Sequence, residues 1–187
     1  MNARSGHLVP LMATVCLLLT PRDSMAQSRQ HLSIQASGEG AFATKSYGAS
    51  LNSGSTLGWE VQGRFTLDRF SVGIGYQRTT VFQSDAADLT GILSLGFVEP
   101  RVVIGVVAQR IAPYVAGRLG YGNLLIPQQP SYTEKVFTYG GGGGVLISVV
   151  PRVAVDVGGQ YFVADFRTHG GSAGYWLARL GVAVGVL

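Results

Sequence analysis

From Tyr175 to Val186 the chain alternates without a break. Trp176, Ala178, Leu180, Val182, Val184 and Val186 share one parity, and Tyr175, Leu177, Arg179, Gly181, Ala183 and Gly185 hold the other. A period of two places successive side chains on opposite faces of an extended strand. The stretch from Arg152 to Val163 repeats the pattern, with Val153, Val155, Val157, Tyr161 and Val163 opposed by Arg152, Ala154, Asp156, Gly158 and Gln160. Each strand therefore has a continuous apolar face and a second face of Gly, Gln, Arg and Asp. A soluble sheet hides its apolar face and would not bury charge behind it. The dyad fits a transmembrane β-barrel, whose apolar face meets lipid while the polar face lines the lumen.

The same grammar recurs along the chain. Leu32, Ile34 and Ala36 alternate with Ser33, Gln35, Ser37 and Glu39; Trp59, Val61, Phe65 and Leu67 with Glu60, Gln62, Arg64 and Thr66; Phe70, Val72, Ile74 and Tyr76 with Ser71, Gly73, Gly75 and Gln77. Between Leu89 and Val106 both faces are more apolar, with Val98, Val102 and Ile104 read outward and Phe97, Glu99 and Arg101 inward. Val115, Leu119 and Tyr121 then oppose Tyr114, Ala116, Arg118 and Gly120, and a further strand covers 136–149. Gly140 to Gly144 is read as part of that strand, since omitting it would leave an odd count and an open edge. The sum is an all-β fold, an eight-stranded antiparallel up-and-down transmembrane barrel. At roughly ten to fourteen residues per tilted strand, eight strands consume nearly all of the chain after its first segment.

Connections alternate in length. Asp68-Arg69 and Val150-Pro151 are tight and the link from Val107 to Ala112 is moderate, whereas Thr44–Ser55, Gln83–Asp88, Leu125–Glu134 and Asp165–Ala173 are long and rich in turn-forming residues. Short periplasmic turns and longer outer loops are expected of such a barrel. Trp59, Tyr76, Tyr121, Tyr139, Tyr161 and Trp176 have outward parity toward the loop ends and read as an aromatic girdle at the outer interface, with Phe65 and Phe70 on the inner side.

Residues 1–26 read as a secretory signal peptide. Arg4 precedes an apolar run from Leu8 to Leu19 that is too short for a helical span, and Ser24-Met25-Ala26 supplies small residues for cleavage before Gln27. Removal of 26 of the 187 residues would leave 161, one barrel domain from 27 to 187. Cys16 is the single cysteine; Val15 before it is unsuited to lipidation, and it would leave with the signal. No thiol, disulfide, metal ligand or cofactor is then expected. Charged residues make up only 13% of the chain and the net charge of +4 is scattered, so no basic patch of nucleic-acid type is present.

The inward set holds four acids, Glu39, Glu60, Glu99 and Asp156, against four arginines, Arg64, Arg101, Arg118 and Arg179. An eight-stranded lumen is just wide enough to be filled by side chains, so these charges must pair and plug it. Nucleophilic chemistry has little support: His31 lies at a strand entrance, and His169 with Ser172 sits in a Gly-rich loop.

The tracts Phe97-Val98-Glu99-Pro100-Arg101, Pro113 to Tyr121, and Gly140 to Val145 followed by Pro151 to Gly158 resemble the small OmpA/OmpX-like outer-membrane β-barrel domain family, over about residues 32–187. The final strand, with Arg179, Gly181, Val184 and Val186, also resembles the signal read by the outer-membrane assembly machinery, although it lacks a terminal aromatic residue and carries an extra Leu187. No peptidoglycan-binding domain follows, so anchoring of that kind is not expected. The resemblance implies a monomeric, non-enzymatic protein of the outer membrane of a Gram-negative-type bacterium. Its partners would be outer-membrane lipid or lipopolysaccharide and the assembly machinery, and its role structural or one of surface contact through the outer loops. A lipid A-modifying barrel enzyme is the alternative, being of the same size and architecture. A lipocalin-like binder would need the opposite polarity, an apolar lumen in a polar shell.

Overall fold

A computed structural model of the chain describes residues 30–45, 55–84, 89–108, 110–126, 132–168 and 171–186. The expected signal peptide, Cys16, His169 and the centres of the long loops lie outside the described residues. Within them the chain forms eight strands: β1 (Gln30–Lys45), β2 (Ser55–Leu67), β3 (Phe70–Ser84), β4 (Leu89–Val103), β5 (Ile111–Ile126), β6 (Tyr132–Val150), β7 (Val153–Phe166) and β8 (Ser172–Gly185). Each pairs antiparallel with its neighbour in sequence, and β1 pairs with β8 to close the barrel. Closure leaves no sheet edge, which lipid would punish because its hydrocarbon offers no hydrogen-bond partner.

Side-chain polarity is inverted relative to a soluble barrel. Leu180 is 63% exposed and Ile74 67%, in a band with Phe65, Val98, Val115, Leu119 and Val182. Glu99 and Asp156 are 0% exposed and Arg101 1%. Exposed aliphatic side chains in a band of this extent are stable only against lipid. The fold is therefore a transmembrane β-barrel. Among the described residues no helix is long and apolar enough to cross a membrane.

Several boundaries differ from those read in sequence. The turn after β6 is Pro151-Arg152, not Val150-Pro151, and Arg152 stands in it at φ 70 rather than on β7. A register shift between Ser148 and Val150 ends β6, which accounts for the displaced turn. β4 stops at Val103, so Ile104 points outward from the link to β5 and not from a strand. The long loops are shorter than their composition suggested, because Leu125, Glu134, Gln83 and Asp165 all lie on strands. Polar residues at strand ends pair as well as apolar ones once the strand projects beyond the bilayer. The hairpin at Asp68-Arg69 is as tight as expected: Leu67 pairs with Phe70, and Asp68 takes φ 51, a left-handed conformation that Asp tolerates.

Gly140 to Gly144 run inside β6, paired to Arg118–Tyr114 on one side and to Phe162–Gly158 on the other. Pro100 sits outward on β4, and the ladder to β5 lapses there, passing from Val98–Leu119 to Arg101–Ala116. A proline has no N–H to give to that ladder.

Candidate functional site: a three-tiered lumen

Parity directs Glu39, Glu60, Arg64, Glu99, Arg101, Arg118, Asp156 and Arg179 into the lumen, and all eight are buried there. The pairing is centred on Glu99. Its Oε1 accepts from Arg64 Nη2 at 2.5 Å and Arg101 Nη2 at 3.1 Å. Its Oε2 accepts from Arg118 Nη2 at 2.6 Å, Arg118 Nε at 3.0 Å, Arg179 Nη1 at 3.1 Å and Gln160 Nε2 at 3.1 Å. One carboxylate thus contacts every lumen arginine. Only planar, permanently charged guanidinium forks can crowd a carboxylate in this way while keeping donors free for others.

The remaining acids share those arginines. Glu60 receives Arg118 Nη2 at 2.7 Å and Arg179 Nη1 at 3.0 Å. Asp156 receives Arg101 Nη2 at 3.0 Å, Gln35 Nε2 at 2.7 Å and the Tyr114 hydroxyl at 2.6 Å, and lies 3.4 Å from Arg179 Nη2. Glu39 is the least paired: Thr79 Oγ1 donates to it at 2.6 Å, and Arg118 Nη1 stands 3.9 Å away. Two guanidinium planes also lie over rings, Arg118 over Phe97 and Arg101 over Tyr114, each at 3.9 Å from the centroid.

Room for these long side chains comes from missing ones. A Cβ on Gly73 would collide with Gln62 Oε1 and the Arg64 guanidinium, and one on Gly144 or Gly158 would strike the Tyr114 hydroxyl. Tyr114 links the two flanking ions, donating to Asp156 and accepting from Arg179 Nη2 at 2.9 Å.

The charged layer is capped on both sides by apolar side chains, which the sequence reading did not anticipate. Toward the long loops lie Leu93, Leu95, Leu124, Val136, Phe162, Ala164, Phe166, Ala173, Tyr175 and Leu177, with the Phe162 and Tyr175 rings 5.4 Å apart. Toward the short turns lie Val103, Ala112, Tyr114 and Ala116, with Val106 and Leu146 against them. The signal was present, since Leu93, Leu95 and Phe97 have the parity of Glu99, and Tyr175 and Leu177 that of Arg179. Glu134 was missed as well. It is buried at the loop end of β6 and accepts from the Thr168 backbone N–H at 2.6 Å, which pins the β7–β8 turn.

On the outer surface Trp59, Tyr76, Tyr121, Tyr139 and Trp176 are exposed, and Tyr161 is partly covered by Trp176 at 5.3 Å. Trp59 and Tyr76 meet at 5.7 Å. Tyr76 lies near the middle of β3 rather than at its loop end, because β3 runs on to Ser84. His31 stands at the turn end of β1, away from the loop-side tier. Among the described residues no group of His, Cys, Asp and Glu has the makings of a metal site.

This architecture recurs in solved structures. Neisserial surface protein A matches with a TM-score of 0.69 at 17% identity, covering 82% of this chain and 96% of that one. Ail, the attachment invasion locus protein of Yersinia pestis, solved with the heparin analogue sucrose octasulfate, matches at 0.54 and 14%, covering 84% and 99%. The N-terminal β-barrel domain of Pseudomonas aeruginosa OprF matches at 0.51 and 14%, covering 82% and 96%. No family model matches the chain, and no curated protein does. The fold is that of the small outer-membrane β-barrels, the OmpA/OmpX-like architecture.

Proposed function

We propose that this chain is an integral outer-membrane protein whose barrel is a closed, non-conducting and non-enzymatic scaffold, holding its long loops at the cell surface for structural or adhesive contact. The observation that carries this reading is the filled lumen: an ion-paired layer without a free arginine, sealed by apolar side chains above and below. A transport path or a lumen active site needs hydrated space or an unpaired reactive group. The paired charges here are arranged as packing. Ail is named for attachment, and a contact role of that kind is what we assign to the loops. Residues 1–26 act as the export signal, and the mature barrel is a monomer inserted by the assembly machinery.

Cell fractionation with heat-modifiable migration on a gel tests insertion, and planar-bilayer recording tests the seal. The expected result is outer-membrane recovery, a folded band that shifts on boiling, and no stable conductance steps. Persistent porin-like conductance from the folded protein would overturn the sealed-lumen reading.

A further inference from the structure

On the loop side of the barrel, the outward-facing cations among the described residues stand in one place. A single cross-strand row runs Arg78–Ser94–Asn123–Lys135, each directly opposite the next on β3, β4, β5 and β6. It continues to Arg167, whose N–H donates to Lys135 O at 3.0 Å. Arg78, Asn123, Lys135 and Arg167 are all exposed. The next outward row toward the membrane is Tyr76–Gly96–Tyr121–Phe137–Asp165, largely aromatic. Aromatic rings of this kind settle at the headgroup boundary, so the cations above them stand at the level of lipid headgroups.

The backbone bond to Lys135 sets Arg167, in the turn after β7, beside Lys135 on β6, and like charges placed opposite one another are destabilising on their own. Yet the turn that presents Arg167 is fixed: Phe166 N–H donates to Gly171 O at 3.0 Å and Thr168 N–H to Glu134 at 2.6 Å. The Arg167 guanidinium also lies over the Phe137 ring at 5.5 Å. One carboxylate, Asp165, is near it at 3.9 Å, and among the described residues no ion pair reaches Lys135. Two cations held side by side, pointing outward from the barrel at headgroup level, are complementary to a phosphate between them.

The geometry assigns Lys135 and Arg167, with Arg78 further along the row, as a clamp for the phosphorylated saccharide headgroup of an outer-leaflet glycolipid. This rests on the outer-membrane reading above and adds to it a specific lipid contact. A turn-end cation such as Arg110 lies at the other end of the barrel and takes no part.

The test is native mass spectrometry of the folded barrel in zwitterionic detergent, titrated with bisphosphorylated lipid A or with its dephosphorylated form. Heat-modifiable migration of every sample establishes separately that the barrel has formed, so a failure of the membrane reading is seen as such. Wild type and Arg110→Gln should retain the bisphosphorylated lipid at least about tenfold better than the dephosphorylated one, as charge-assisted bonds to two cations require. Lys135→Gln/Arg167→Gln should lose that preference, and Lys135→Arg/Arg167→Lys should keep it. If the double Gln variant does not fold, the two single Gln variants are compared instead, each expected to lose part of the preference. Equal retention of both lipids by wild type, unchanged preference in the Gln variants, or competition by inorganic phosphate at equal concentration would overturn the assignment.

Discussion

Arg118 approaches Glu99 with two nitrogens on one oxygen, Nη2 at 2.6 Å and Nε at 3.0 Å, and it also reaches Glu60 from the same Nη2 at 2.7 Å. One guanidinium on β5 therefore bridges a carboxylate on the neighbouring β4 and one on β2, three strands away. A buried arginine in this position is fully compensated only while both acids remain.

Neutralising Glu99 should accordingly be severe. Glu99→Gln leaves four arginines facing three carboxylates inside a desolvated lumen, and breaking a buried pair in this way costs about 3–5 kcal/mol. Urea titration of the barrel refolded in lipid vesicles measures it. A loss under about 1 kcal/mol would show that water or ions reach the layer freely.

The Asp156–Arg179 contact has a direct component at 3.4 Å and an indirect one through the Tyr114 hydroxyl. A double-mutant cycle with Asp156→Ala and Arg179→Ala should give a coupling energy of about 0.5–3 kcal/mol, with each single change costlier than its share of the pair. Additivity of the two would mean that Tyr114 and Arg101 satisfy Asp156 without Arg179.

Tyr114→Phe isolates the bridge itself. It removes one hydroxyl that makes two hydrogen bonds to charged groups, at a cost of about 1.5–3 kcal/mol. Gly144→Ala would instead force the ring away, and overpacking of this kind costs about 1–3 kcal/mol. Both are read from the same unfolding midpoint, and an unchanged midpoint in both would remove Tyr114 from the network.

Leu180 is 63% exposed in the middle of the apolar band. Leu180→Arg should lower barrel stability by about 2–4 kcal/mol in vesicles, the cost of a cation near the bilayer midplane. In a detergent micelle the penalty should shrink, since water is closer. Equal stability of the variant in lipid would mean that this face does not meet hydrocarbon.

Much of this fold was legible in parity. The alternation of Trp59 to Leu67 or Tyr175 to Val186 assigns each side chain to lipid or lumen before any coordinates, and the inward charges could be enumerated. What parity does not carry is height. Glu99 and Arg179 are 80 residues apart, and they meet because the closed, tilted sheet brings distant strands to one level. The hub could not be told from the other three acids for that reason. The apolar tiers were overlooked for a different one: Leu93, Phe162 and Leu177 look lipid-facing by chemistry, and only their shared parity with Glu99, Asp156 and Arg179 corrects this. At Glu134 and Asp165, polarity was taken for a loop where a strand extends past the bilayer.

The β1–β8 seam sets Glu39 directly opposite Arg179. Because Arg179 lies on β8 and Asp156 on β7, the seven strands that precede β8 hold four lumen acids and only three of their arginines. A truncated or undocked sheet keeps Glu60 and Glu99 short of a counter-ion, while the complete one is neutral at the moment its edges join. Arg179 thus makes docking of β8 a condition of charge balance, so that a seven-stranded sheet carries its own electrostatic penalty against sealing.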